Sequence, residues 1–260
     1  LSENEIDPRS LQFYRDAVTT MIEAGVQFLV GGAYAFSRYT GISRHTKDYD
    51  VFLTRSETDK AMEVLSRAGY RTELTFPHWL GKAYNGDDFI DLIFGAGNGI
   101  ATVDSLWFEN AVDGESLGIP VKLCPAEEII WSKAFIMERE RFDGADVAHL
   151  LRARAKELDW TRLLTRFEPF PRVLLVHLIL YGFIYPEARD DVPQWVMQKL
   201  MSELQQGELK GDEKICYGTL LSRGQYLIDV GRWGYRDARL EAPGTMSPED
   251  ITFWTSMIGT

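Results

Sequence analysis

The sequence predicts an α+β protein, with strands and helices in its first half and a helical second half. Three observations predict it. Short apolar runs bounded by glycines and polar turns crowd into residues 26–123, which is the pattern of strands. Stretches with helical spacing separate several of those runs. Beyond residue 124 the apolar spacing is helical almost throughout, so the chain reads as an α/β core over 1–124 and a helical part over 125–260.

The elements follow in order. Asp7-Pro8 ahead of "RSLQFYRDAVTTMIEAG" predicts a helix. Asp7 can cap it, Pro8 suits its first turn, Leu11, Tyr14, Val18 and Ile22 share a face, and Gly25 ends it. "VQFLV" (26–30) is a short apolar strand, and Gly31-Gly32 turns the chain into the helix "AYAFSRY". Residues 48–53 read as a strand and 57–68 as an amphipathic helix stopped by Gly69. "YRTEL", "GKAY" and "FIDLIFG" are strands, the last two joined through Asn85-Gly86, a hairpin signal. "IPVKL" is a further strand ahead of Pro125.

The helical part begins with "AEEIIWSKAFIMERER", whose early acids suit the positive end of a helix dipole. It continues through "GADVAHLLRARAKE", "WTRLLTRF", "PRVLLVHLILYGFIY" and "VPQWVMQKLMSEL", and "GTLLSRGQYLIDVGRW" is read as a helix too. "SPEDITFWTSM" closes it, with Ser247 as cap and Pro248 at the first helical position.

Composition narrows the function. Hydrophobic content of 45% and charged content of 26% suit a globular protein with a sizeable core. No apolar run reaches the roughly 18 residues of a membrane span, and the acidic start "LSENEIDPRS" does not fit a secretory signal. A cytoplasmic protein without a membrane partner is the expectation. Cys124 and Cys216 are the only cysteines, with no CxxC pattern, and are expected as reduced thiols. A net charge of -11 argues against a surface that grips nucleic acid everywhere, although a local basic groove stays compatible with it.

The chemistry lies in "GGAYAFSRYTGISRHTKDYDVFL", residues 31–53. On a strand, residues two apart share a face. Asp48 and Asp50 therefore project together, and Tyr49, Val51 and Leu53 form the opposite, core-facing row. "FIDLIFG" repeats the design, with Asp91 on one face and Ile90, Leu92 and Phe94 on the other. If the two strands are neighbours, three carboxylates converge, and three close anions without a cation repel one another. A divalent metal resolves the conflict. Magnesium suits an all-oxygen site completed by water and phosphate oxygens. Glycines at a strand-to-helix junction let backbone N–H groups approach such phosphates.

With those residues in place, the segment "FLVGGAYAFSRYTGISRHTKDYDVFL" resembles the polymerase-β-like nucleotidyltransferase superfamily. Its Arg44, Lys47, Asp48, Asp50 arrangement is similar to that of lincosamide and aminoglycoside nucleotidyltransferases and of abortive-infection toxin-type nucleotidyltransferases. The motifs span about residues 26–94, and "SKAFIMERERFDGADVAHLL" (132–151) adds a second match. The resemblance implies a polymerase-β-like core, a mixed sheet with flanking helices, in which Gly31 and Gly32 hold the triphosphate. It implies that Asp48 and Asp50 bind metal, and that Asp91 completes a second metal site or accepts the proton of the attacking hydroxyl. It also implies that Lys133 meets the triphosphate. Two magnesium ions and a nucleoside triphosphate such as ATP are the implied cofactor and co-substrate. Many members carry Gly-Ser where this chain has Gly31-Gly32, so their serine contact is missing.

The expected reaction is transfer of a nucleoside monophosphate to an acceptor hydroxyl with release of pyrophosphate, the helical part selecting the acceptor. The acidic balance favours a small-molecule or protein acceptor over a polynucleotide. A toxin-like enzyme acting on transfer RNA or protein predicts a basic groove beside the same site. A nucleotide-binding protein without catalysis predicts that the three aspartates do not converge. The oligomeric state is left open.

Other residues are weighed against plainer roles. Arg44 and Lys47 suit phosphate or salt bridges to nearby acids, and His45 a solvent-exposed loop. His149 and His177 read as interior histidines. Asp143 and Asp146 suit a cap and a salt bridge, or the orientation of Lys133. Arg152, Arg154, Lys156, Arg162 and Arg166 read as a solvated helix face. Arg223, Arg232, Arg236 and Arg239, with Tyr226, Trp233 and Tyr235, suit packing or an acceptor pocket, and packing is preferred.

Overall fold

A computed structural model describes residues 7–43, 48–206 and 214–258. The chain forms two compact units, Leu1–Gly97 with Thr102–Pro125, and Asn98–Ala101 with Ala126–Thr260.

In the first unit, helix α1 (Pro8–Glu23) is capped by the Asp7 side chain, which accepts from Arg9 N, and has Pro8 in its first turn. Strand β1 is only Leu29–Val30, shorter than the apolar run 26–30. Helix α2 (Gly32–Thr40), β2 (Asp48–Phe52) and α3 (Arg55–Arg67) follow. Next come β3 (Arg71–Phe76), β4 (Leu80–Asn85), β5 (Asp88–Ile93), α4 (Ser105–Glu109), β6 (Val112–Ser116) and β7 (Ile119–Leu123).

Among the described residues these strands make a seven-stranded mixed sheet in the order β3-β4-β5-β2-β1-β7-β6. The β2–β5 and β1–β7 pairs are parallel, and the other neighbours are antiparallel. Helix α4 and strand β6 had no counterpart in the sequence reading. Most outward positions of β6 are charged or small, which hides its period.

The hairpins are held by their turns. Asn85 pairs with Asp88, leaving Gly86 and Asp87 as a two-residue loop in which Gly86 has φ +64. A positive φ at the first loop position alone matches the II′ pattern that glycine favours there. The β6–β7 turn places both Leu117 (φ 55) and Gly118 (φ 73) in the left-handed region. Arg15 Nε donates to Leu117 O at 2.7 Å and helps hold that turn.

One face of the sheet is core. Tyr49, Val51, Leu53, Ile90 and Leu92 are fully buried. Tyr49 stacks on Tyr14 of α1 at a centroid distance of 5.6 Å. This is the apolar row expected of β2 and β5, and their remaining residues face the other way.

The second unit is helical. It holds α5 (Ala126–Ala134), α6 (Gly144–Arg154), α7 (Trp160–Arg166), α8 (Pro171–Ile184) and α9 (Gln194–Gln206). Two short strands follow, β8 (Ile215–Cys216) and β9 (Arg236–Asp237), with α10 (Leu227–Gly231) between them and α11 (Pro248–Ser256) last. Ser247 and Asp250 form the capping box of α11.

Two expectations are corrected. The helix read over 126–141 stops at Ala134. The chain then folds into a narrow loop bridged by Met137 and Phe142, where Met137 N donates to Leu221 O. "GTLLSRGQYLIDVGRW" is not one helix but a 3-10 turn (Tyr217–Leu220) and the short α10. A Cβ at Gly218 would lie 2.3 Å from the Tyr226 ring, a contact that a continuous helix would not make.

Cys124 and Cys216 are buried and not joined in a disulfide. No described helix is long and apolar enough to cross a membrane.

His177 of α8 carries a pH prediction. Its Nε2 lies 2.8 Å from Ala134 O, so that nitrogen holds a proton and donates. Burial pushes its pKa below the ordinary 6.5, against the opposing effect of that hydrogen bond. Below about pH 6.5 the unfolded chain therefore binds more protons than the folded one. The sign follows: stability falls as pH drops from there toward the depressed folded value. Urea unfolding between about pH 7.5 and 5 should show a shallower loss for His177→Gln than for the unaltered protein. Equal slopes would refute a buried neutral imidazole.

Candidate metal centre

Strand β2 pairs in parallel with β5 so that Asp50 stands opposite Asp91, and Asp48 opposite Phe89. Pairing in register puts cross-strand neighbours on the same face. Asp48, Asp50 and Asp91 each offer a carboxylate oxygen, and these oxygens lie within 4.8 Å of one another. All three residues are half-buried. The convergence anticipated from the alternation of the two strands is thus found.

The glycine pair adjoins them. Gly31 is the N-cap of α2, and its N–H donates to Asp50 O at 3.0 Å. A Cβ on Gly31 would meet the Phe52 ring at 2.3 Å. Gly32, the first residue of α2, has φ +52, and a Cβ there would lie 1.8 Å from Asp50 Oδ2. Only glycine allows the backbone at the start of this helix to lie against the Asp50 carboxylate.

The sequence reading missed Lys82 on β4. It pairs in register with Asp91, and its Nζ sits 2.7 Å from Asp91 Oδ1 and 3.8 Å from the centroid of the Phe89 ring. One row of charged residues therefore crosses four strands: Asp50, Asp91, Lys82 and Glu73. The signal for Lys82 was in the hairpin, because counting back from a two-residue turn after Asn85 sets Lys82 opposite Asp91.

Burial pushes the Asp91 carboxyl above its ordinary pKa. The hydrogen bond and charge of Lys82 oppose that rise, and the Asp48 charge adds to it.

Three convergent carboxylates are hard oxygen donors, and the bare Gly32 lets the Asp50 carboxylate occupy the space that a side chain would fill. The donor set fits a hard divalent cation such as magnesium. Asp91, Asp48 and Asp50 could hold it, with backbone N–H groups at the start of α2 available to an anion brought by the same ligand.

Arg44, Lys47 and His45 lie outside the described residues. Lys133 belongs to the second unit, where its Nζ lies 2.8 Å from both Asp143 Oδ2 and Asp146 Oδ2. Burial opposes ionisation of Asp143, but Arg141 and Lys133 together hold its carboxyl below the usual range. Asp143 stands at the N-cap position of α6 without a side-chain capping bond, its carboxylate being spent on the two cations.

A further correction concerns two arginines read as solvated. Arg162 Nη2 lies 2.6 Å from Glu127, and Arg166 Nε lies 3.3 Å from Glu128, both with little exposure. They neutralise a pair of adjacent acids that α5 carries into the unit's interior, where unpaired carboxylates would be costly.

The arginine and aromatic tail divides. Arg239 is fully buried, whereas Trp233 and Tyr235 are exposed.

No family model matches the chain, and no curated protein does. Among solved structures, the chain is similar to the antibiotic-resistance factor ANT(2'')-Ia in solution. That likeness has 16% identity, covers 68% of this chain and 99% of that one, and gives a TM-score of 0.46. It is similar to the lincosamide antibiotic adenylyltransferase LnuA in its lincomycin-bound form, with 13% identity, 57% and 99% coverage and a TM-score of 0.40. It is also similar to JHP933 from Helicobacter pylori, with 12% identity, 77% and 97% coverage and a TM-score of 0.38.

Proposed function

We propose that the first unit transfers a nucleoside monophosphate from a nucleoside triphosphate, such as ATP, to a hydroxyl of a small-molecule acceptor, releasing pyrophosphate. The observation that carries this reading is the meeting of Asp48, Asp50 and Asp91 beside the glycine pair that opens α2.

Asp48 and Asp50 hold magnesium in this reading, two ions being the number the motif resemblance implies. Bound there, magnesium supplies charge neutralisation and polarisation at the α-phosphoryl group. Gly31 and Gly32 present bare backbone to the triphosphate at the start of α2. Asp91 orients the acceptor hydroxyl and receives its proton as the new oxygen–phosphorus bond forms. The bond from the α-phosphorus to the bridging oxygen breaks in the same displacement, and pyrophosphate leaves.

Arg44, Lys47 and Lys133 are proposed as partners of the phosphates. Lys133 is held between Asp143 and Asp146, contacts that engage two of the three N–H donors of its ammonium. The division at residue 124 into a catalytic core and a helical part, and a cytoplasmic location, belong to the same proposal. A net charge of -11 favours a small-molecule acceptor over a polynucleotide.

The test is transfer of label from α-phosphate-labelled triphosphate onto a panel of hydroxylated metabolites and antibiotics. Labelled product should form with the unaltered protein, and Asp91→Asn should slow it by about 10²–10⁴-fold, the usual worth of a positioned general base. Undiminished transfer by Asp91→Asn would remove Asp91 from the chemistry. A panel without any labelled product would count against a small-molecule acceptor.

A further inference from the structure

Helix α8 is apolar on every side. Of its 14 residues, Pro171–Ile184, only Arg172 is charged at neutral pH. Leu174, Leu175, His177, Leu178 and Tyr181 turn into the second unit and are buried. On the opposite face Val176, Ile179 and Phe183 are 45%, 55% and 80% exposed. With the exposed Arg172 they recur at steps of four, three and four residues, the spacing of a coiled-coil seam. The seam runs about 16 Å along the helix.

A helix without a polar face is ordinarily a buried helix, and here one face is left to solvent. Two kinds of cover do not suit it. A membrane span needs roughly 20 apolar residues. A helix lying on a membrane surface keeps a charged face to water, whereas the face of α8 turned away from the seam is packed into its own unit. A protein surface of the same apolar character fits.

The order of residues then selects the partner. Arg172 and Phe183 stand equally far from the point midway between His177 and Leu178, and so do Val176 and Ile179. A second copy laid antiparallel along α8 therefore sets Val176 against the partner's Ile179. It also sets Arg172 against the partner's Phe183, a cation over an aromatic face. The exposed Glu187, in the 3-10 turn that follows α8, comes to the same end as the partner's Arg172. A parallel copy would instead bring Arg172 against the partner's Arg172. Beside the seam, Ile179 and the bare Gly182 line an open groove with Gln194 and Met197, which leaves room for the partner's Val176.

We propose that α8 docks antiparallel on α8 of a second copy of this chain, forming a two-fold dimer through Arg172, Val176, Ile179 and Phe183. The proposal concerns the second unit alone and is independent of nucleotidyl transfer. The seam is short beside a standard interface, so the dimer is weak and its population rises with concentration.

Sedimentation equilibrium of the full chain over about 1–200 μM tests the dimer. The weight-average mass should climb from one chain, 29.7 kDa, toward twice that value. Phe183→Asp, at the most exposed apolar position of the seam, should raise the dissociation constant about 30-fold or more, the effect of losing a hot-spot side chain. Arg172→Glu should weaken the dimer too. Ile22→Asp, the same kind of change at an exposed position of α1, should leave association unchanged. Matching circular dichroism spectra establish that the variants are folded. Orientation is read from disulfide formation, because mixed Val176→Cys and Ile179→Cys chains should cross-link to each other faster than either does to itself. Faster cross-linking of Val176→Cys to itself would mark a parallel pair and overturn the antiparallel dimer. A dimer that Phe183→Asp leaves intact would overturn the role of the seam. A monomer at every concentration would overturn the proposal outright, and binding of that monomer to anionic phospholipid vesicles would assign the seam to a lipid surface instead.

Discussion

Gly32→Ala is expected to abolish divalent-ion binding and to destabilise the first unit by about 2–4 kcal/mol, from left-handed backbone strain together with overpacking. Both causes are local. The residue has φ +52, and the added Cβ would fall 1.8 Å from Asp50 Oδ2, so the Asp50 carboxylate must move. Gly25 supplies the control. It has φ +65 with nothing within 4 Å of its absent Cβ, so Gly25→Ala carries only the conformational cost, on the order of 1–2 kcal/mol. Urea unfolding and Mn²⁺ binding of the two variants separate strain from displacement. Should Gly32→Ala bind Mn²⁺ like the unaltered protein, the glycine does not serve the Asp50 carboxylate.

Arg239→Ala is expected to cost about 3–5 kcal/mol, the penalty of leaving one member of a buried ion pair alone. Arg239 is fully buried, and its Nε lies 2.9 Å and 3.1 Å from the two oxygens of Asp237. Its Nη2 lies 2.5 Å from Asp237 Oδ2. Burial works against ionisation of Asp237, but the hydrogen bonds and charge of Arg239 hold its carboxyl below the usual range. Removing both charges together, as Asp237→Asn with Arg239→Met, should recover most of the loss, because no uncompensated charge then remains. Thermal unfolding of the single and double variants is the measurement. A double variant as unstable as Arg239→Ala would show that the site is held by shape rather than by charge.

The parts of the fold that could be read from the sequence were those with a strong period. Strands β2 and β5 alternate so regularly that Asp48, Asp50 and Asp91 separated from Tyr49, Val51, Ile90 and Leu92 before any pairing was known. Capped helices such as α1 and α11 were legible for a similar reason, since Pro8 and Ser247 mark their starts. Where local signals conflict with tertiary contacts, reading failed. The run after Ala134 has helical composition, yet Met137 bonds to Leu221, distant in sequence, and the helix ends.

Within the candidate site, the carboxylates and glycines were visible because their types are unusual for a strand and a helix start. Lys82 was not, because a lysine on a strand beside a hairpin is ordinary, and its meaning comes only from register. Arg162 and Arg166 were misread for the converse reason. A basic stripe on a helix looks solvated until the packing of α5 brings Glu127 and Glu128 against it.

The central claim is that Asp48 and Asp50 bind a nucleoside triphosphate through a divalent ion, with Asp91 beside them. Calorimetric titration of ATP and the other triphosphates tests it most directly, using the unaltered protein and Asp48→Ala/Asp50→Ala, each with magnesium and with excess chelator. Binding is predicted for the unaltered protein in magnesium alone, and is lost on chelation and in the double variant. Tight binding that survives both would contradict the claim.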